Sequence, residues 1–248
     1  MTCRHRPWMY RRRGSGLSFS LPSIIAIDGP AASGKSTVGS LLAERLGYVY
    51  FDTGVMYRAV TWIALQRGIP IEAEARVSAL AEAIHIEVLR PTVDDGRQYT
   101  VLVNGQDVTW NLRRPEVDRG VSPVSAYAGV RRALTAQQRR LGLKGDIVMV
   151  GRDIGTVVLP EADFKIYLDA TVYERACRRW KELQLRDSST CLDEVLAAME
   201  RRDEIDSSRV LAPLRPAEDA HLLDTTGLSV EQVLDRIEAW VREAAEKE

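Results

Sequence analysis

The 248-residue chain is poor in the residues that staple a protein, ligate metals or anchor it in a membrane. Its three cysteines, Cys3, Cys177 and Cys191, are odd in number and form no C-x-x-C pair. That argues against a disulfide framework or a structural zinc site and fits a reducing, cytoplasmic setting. Three histidines, His5, His85 and His221, show no ligand spacing and are expected to be structural or exposed. No apolar run approaches the length that crosses a bilayer, so no membrane role is expected. The formal net charge of −1 lacks the basic excess of a nucleic-acid-binding domain. Lysine is scarce as well: only Lys35, Lys144, Lys165, Lys181 and Lys247 occur among 34 basic residues. The rest are arginines, a residue favoured for planar phosphate recognition, although a compositional bias accounts for most of them.

Residues 1–22 carry Arg4, Arg6, Arg11, Arg12 and Arg13 before a Gly-Ser-Gly stretch. Leu17 to Leu21 is too short and polar for the apolar core of a signal peptide. The segment reads as a disordered basic tail, or as an over-extended start with Met9 as the alternative. Residues 23–248 read as one domain. Short apolar runs at Ile24–Ile27, Tyr48–Phe51, Ile147–Val150, Phe164–Leu168 and, more weakly, His221–Leu223 are separated by helix-length spacers. Helices are expected over Lys35–Leu46, Val55–Gln66 and Ser229–Ala245. This alternation calls for an α/β fold with a parallel sheet covered on both faces. Between about residues 84 and 110 the pattern changes to short alternating runs bounded by Asp94-Asp95-Gly96 and Asn104-Gly105 turns. A small antiparallel β insertion is expected there.

Four clusters carry the chemistry. Gly29-Pro30-Ala31-Ala32-Ser33-Gly34-Lys35-Ser36 matches G-x-x-x-x-G-K-[ST], with a strand before it and a helix after it. In such a loop, backbone N–H groups and the helix dipole converge on phosphates, Lys35 neutralises them and the Ser36 hydroxyl is offered to Mg²⁺. Asp52-Thr53-Gly54, with Arg58 one turn on, follows the second strand and should lie beside this loop. Asp52 and Thr53 serve equally well as helix caps. Gly151-Arg152-Asp153 follows another strand and offers either a donor fork and a carboxylate to a ligand or an internal salt bridge. Along a fourth stretch, the inward stripe Leu192, Val195, Leu196 and Met199 continues into Arg202, Asp206 and Arg209. Charges on that stripe need an anionic ligand, mutual pairing or exit into solvent. Upstream, Arg175, Arg178 and Arg179 share a face that either closes over phosphates or is solvated.

Together the segments IDGPAASGKST, FDTGVMYR, VNGQDVT, GRDIGTVVLPEADFKIYLDA and RRDEIDSSRVLAPL resemble bacterial cytidylate kinases, in order from about Ile24 to Glu243. The resemblance implies a three-layer P-loop fold with a five-stranded parallel sheet, an acceptor-binding insertion (about 84–110) and a helical lid (about 171–210). It implies transfer of the γ-phosphoryl group of ATP to CMP or dCMP with Mg²⁺, by a monomer. Gly29 to Thr37 would hold ATP. Arg58, Arg152 and Arg209 would hold the acceptor phosphate, with Thr53 also at the substrate; Ser122, Arg131 and Asp153 would read cytosine; Arg202 and Asp206 would meet the ribose region. Lys35, Arg152, Arg175 and Arg179 would be the catalytic cations, with Arg178 in the lid. One position departs from the pattern: Val150 stands where the family commonly has an acid, leaving a role in Mg²⁺ binding absent or taken by Asp28 or Asp52. A kinase for UMP, AMP or a non-nucleotide acceptor would share the loop. A switch protein fits less well: Asp224-Thr225-Thr226-Gly227 is a loose D-x-x-G, but no N-K-x-D is present.

Overall fold

Apolar runs too short for helices become strands when neighbours can cover both their faces, and the central run does so here. In the computed structural model, which describes residues 21–89, 91–185 and 190–246, β1 (Ile24–Asp28) is buried from its second residue on. The P-loop follows, then α1 (Lys35–Leu46), closed by Gly47 at φ 72°. Next come β2 (Val49–Asp52) and α2 (Gly54–Gln66). α3 (Glu74–Ala83) precedes the insertion, whose strands are β3 (Ile86–Leu89), β4 (Thr100–Val103) and β5 (Gln106–Asp107). Then follow α4 (Pro115–Ala126), α5 (Ala128–Gly142), β6 (Ile147–Val150), β7 (Phe164–Asp169), α6 (Val172–Gln184), α7 (Leu192–Ser208), β8 (His221–Asp224) and α8 (Val230–Ala245).

The main sheet is parallel throughout, in the order β2-β6-β1-β7-β8. Successive residues of a strand point to opposite faces, and the two cores obey this. Ile25, Ile27, Val148 and Val150 pack with α1 and α8, whereas Ala26, Ile147 and Met149 pack with α2, α4 and α5. β3, β4 and β5 form the antiparallel unit; β5 is a third strand that the turn signals alone did not mark. A third, smaller core of Ala176, Val195 and Met199 joins α6 to α7.

α8 starts with a capping box, Ser229 and Gln232 each accepting the other's backbone N–H. Helices α3, α4 and α5 were not anticipated, although Val77, Leu80 and Ala81, and Val117, Val121 and Val124, repeat at helical spacing and are buried. The predicted basic tail lies, up to residue 20, outside the described residues. No helix among the described residues is long and apolar enough to cross a membrane.

Candidate active site

Loops at the C-terminal ends of parallel strands face one crevice. Here they open into a cleft of about 1110 Å³ along which basic side chains outnumber acidic ones, against the chain's overall −1. Ala31 to Thr37, Thr53, Arg58, Ser122, Arg131, Arg152, Asp153, Arg178, Arg179, Arg202, Asp206 and Arg209 all line it. Gly29, Pro30 and Arg175 do not. A smaller cavity of about 360 Å³ between β2 and the insertion is lined by none of the predicted site residues.

The loop geometry explains its composition. A Cβ on Gly29 would lie 2.0 Å from the Leu168 carbonyl oxygen, and φ there is +146°, so only glycine fits. Gly34 sits at φ 96° just before α1. Lys35 folds over the loop, donating to the Pro30 carbonyl at 2.5 Å and to Ser33 Oγ at 3.3 Å. Burial, reinforced by the nearby Arg152, holds its ammonium well below the usual lysine range. A bound anion would favour the charged form. Ser36 Oγ donates to Asp52 Oδ2 at 3.1 Å, and Asp52 Oδ1 accepts the Gly54 N–H at 2.9 Å. Asp52 is thus both a cap and a neighbour of the Ser36 hydroxyl. Buried Thr53 bonds the Val150 carbonyl through both N–H (3.0 Å) and hydroxyl (2.9 Å), tying α2 to β6.

Asp28 makes no hydrogen bond with Ser36 among the described residues. Its carboxylate accepts the Ile154 and Gly155 N–H groups, each at 2.7 Å, and pins the loop after β6. Burial pushes its pKa up to about 7 against those hydrogen bonds. Val150, 1% exposed, is close-packed on α1, where a Cβ on Gly39 would come within 2.6 Å of its Cγ1.

The adjacent Arg152 and Asp153 do not pair with each other. Asp153 accepts from Arg131 Nη2 in a buried ion pair. Arg131 also donates to the Ser125 carbonyl at 3.0 Å and lies over the Tyr57 ring, 5.5 Å from its centroid. Arg152 turns the other way, its Nε donating to Asp206 Oδ2 at 3.0 Å. Asp206 is 3% exposed and also faces Arg209 Nη2 at 3.5 Å and Arg202 Nε at 4.0 Å. Burial pushes its carboxyl upward, but the guanidiniums of Arg152, Arg202 and Arg209 outweigh that and hold it below the ordinary value. Arg202, partly buried and beside Arg152, is lowered to about 10 by desolvation and by that neighbouring cation. Arg202 Nε and Arg209 Nη2 are buried without a hydrogen-bond partner among the described residues. Orphaned guanidinium donors beside a wide cleft suit an anionic ligand.

The three lid arginines separate in role. Arg175 is buried and braces the P-loop, donating to Ala170 O (2.9 Å), Ala31 O (3.3 Å) and Asp203 (2.6 Å). Arg178 binds Thr225 through its hydroxyl (3.0 Å) and carbonyl (2.6 Å). Arg179 reaches Asp118 at 3.1 Å. Arg58 meets the same residue, 2.6 Å from Asp118 Oδ1, and donates to the Leu112 carbonyl at 3.0 Å. Sequence reasoning missed Asp118. The signal available was its position one turn before Ser122 on α4.

A family model described as "Cytidylate kinase" matches residues 25–243. The chain is 51% identical over 220 residues to a cytidylate kinase of Herpetosiphon aurantiacus, covering 89% of this chain and 94% of that one. It is 54% identical over 209 residues to a cytidylate kinase of Chloroflexus aggregans, covering 84% of this chain and 89% of the other. With a cytidylate kinase of Enterococcus faecalis the identity is 47% over 219 residues, covering 88% and 95%.

Proposed function

The chain belongs to the cytidylate kinase family, and on that premise we propose that it transfers the γ-phosphoryl group of ATP to CMP or dCMP, forming ADP and CDP or dCDP. The observation that carries the reading is the joining of a P-loop to a second basic pocket within one cleft. Two anions can meet there.

ATP phosphates would lie on the backbone N–H groups of Ala31 to Thr37 and on Lys35, with Arg178 and Arg179 on the lid side. The Ser36 hydroxyl and the Asp52 carboxylate, 3.1 Å apart, form an oxygen donor pair that suits a hard cation. These two residues would hold Mg²⁺ with the phosphates, and the ion would neutralise charge on the β- and γ-oxygens. Val150 offers no ligand, and Asp28 is committed to backbone N–H groups.

Acceptor phosphate would be held by Arg58, Arg152 and Arg209, the last carrying a buried donor with no hydrogen-bond partner among the described residues. The Arg131–Asp153 pair, together with Ser122, would read the base. Cytosine presents an N4 donor beside N3 and O2 acceptors, matching a carboxylate next to a guanidinium. Uracil reverses the polarity at positions 3 and 4 and would leave buried Asp153 facing an acceptor. Arg202 and Asp206 would meet the sugar. Transfer is in line and direct, with catalysis coming from positioning and charge neutralisation. Arg175 acts through the P-loop and the lid, since it lies off the cleft.

Incubation with ATP labelled in its γ-phosphate, CMP and Mg²⁺ tests the reading. The label should appear in CDP. Label released only as inorganic phosphate would contradict it.

A further inference from the structure

Among the carboxylates in the cleft that have no role in the scheme above, one stands between arginines of two other helices. Asp118 lies in the first turn of α4, partly buried, and each of its oxygens is engaged by a different guanidinium. Oδ1 is 2.6 Å from Arg58 Nη1 of α2, and Oδ2 is 3.1 Å from Arg179 Nη2 of α6. Three helices distant in sequence thus converge on one anion. A bridging phosphate makes the same arrangement, one oxygen to each guanidinium. Arg202 also senses the pair, with Arg58 depressing its pKa and Asp118 raising it.

We propose that Asp118 is a positioning residue that stands in for a substrate phosphate. It holds Arg58 and Arg179 at the spacing an anion needs and ties the lid helix α6 to α4. A substrate phosphate gains those guanidiniums only by displacing it. The inference rests on the reading of Arg58 as a ligand of the acceptor phosphate. Its consequence is that the carboxylate competes with phosphate, weakening acceptor binding while keeping the arginines ordered. A carboxylate serving only to join helices would have no such bearing on affinity.

The side chains are 24%, 29% and 32% exposed for Arg58, Asp118 and Arg179, so each pair is worth little more than a surface ion pair. Releasing both corresponds to about a three- to tenfold change in affinity. Calorimetric titration of CMP and of cytidine into the wild-type chain, Asp118→Asn and Asp118→Glu separates the possibilities. Asp118→Asn should bind CMP about three- to tenfold more tightly, with cytidine unchanged because it carries no phosphate. Its KM for CMP should fall by a similar factor. Asp118→Glu, which keeps the charge, should stay within about twofold of wild type. Equal or weaker CMP binding by Asp118→Asn overturns the proposal, as does equal tightening for CMP and cytidine. A wild-type chain that binds no CMP overturns the acceptor assignment instead, a separate failure.

Discussion

Replacing Asp206 with asparagine removes the one carboxylate among Arg152, Arg202 and Arg209 while keeping its shape. The distances of 3.0, 4.0 and 3.5 Å to those guanidiniums mean that three cations would face an uncharged amide at the wall of the cleft. Removing one partner of a buried ion pair costs about 3–5 kcal/mol. Arg152 and Arg202 are 19% and 31% exposed, so solvent recovers part of this, and about 3 kcal/mol is the working figure. For a domain of this size that lowers Tm by roughly 6–12 °C. Phosphate or CMP supplies a replacement anion, so the ligand-induced rise in Tm should be larger for Asp206→Asn than for wild type. Thermal unfolding with and without one common CMP concentration, roughly 10–100 times the wild-type Kd and worth on the order of 2 kcal/mol of linkage there, reads both effects. A variant melting within about 2 °C of wild type, with an equal rise on adding CMP, would refute the argument that Asp206 neutralises the arginine cluster.

Two other outcomes follow from the same geometry. Asp153→Asn keeps contact with Arg131 but loses the acceptor that complements cytosine N4, so the ratio of kcat/KM for CMP over UMP should fall by on the order of 10²; an unchanged ratio removes Asp153 from base reading. Asp28 gives the pH dependence: its folded pKa of about 7 exceeds the ordinary aspartate value of 3.8, so the folded chain binds that proton more tightly than the unfolded one. The resulting stabilisation is complete below about pH 4 and is lost as the pH rises through about 7, a decline of roughly 2–4 kcal/mol. Urea denaturation at intervals from pH 5 to 8 should show Asp28→Asn with a flatter profile than wild type, and parallel profiles would contradict the assignment.

What could be read from sequence depended on how local the cause was. Ile24 to Ile27 announces a buried strand because the residues that cover it need only be apolar. Gly29 to Ser36 announces a phosphate loop because its backbone conformation is dictated by its own glycines, as the clash at Gly29 shows. Pairing was not legible. Arg152 and Asp153 are neighbours in sequence, yet one is drawn to α7 and the other to α5, and nothing local decides which. Arg175, Arg178 and Arg179 looked equivalent by spacing, but the first is buried against Ala31 and Asp203 while the other two line the cleft. Asp118 was invisible for a related reason: an acidic residue in the first turn of a helix already has a sufficient explanation in the helix dipole. Helices α3 to α5 were legible in principle, since Pro115 at the start of α4 and the buried valines after it are local signals.

The most direct test of the account is ADP formation from Mg-ATP by the purified chain with CMP, dCMP, UMP, AMP or no acceptor, measured side by side. Strong stimulation by CMP and dCMP, with little from UMP or AMP, is the predicted result. Stimulation by UMP or AMP as strong as by CMP would contradict the reading of Arg131 and Asp153, and no stimulation by any of the four would contradict the kinase itself.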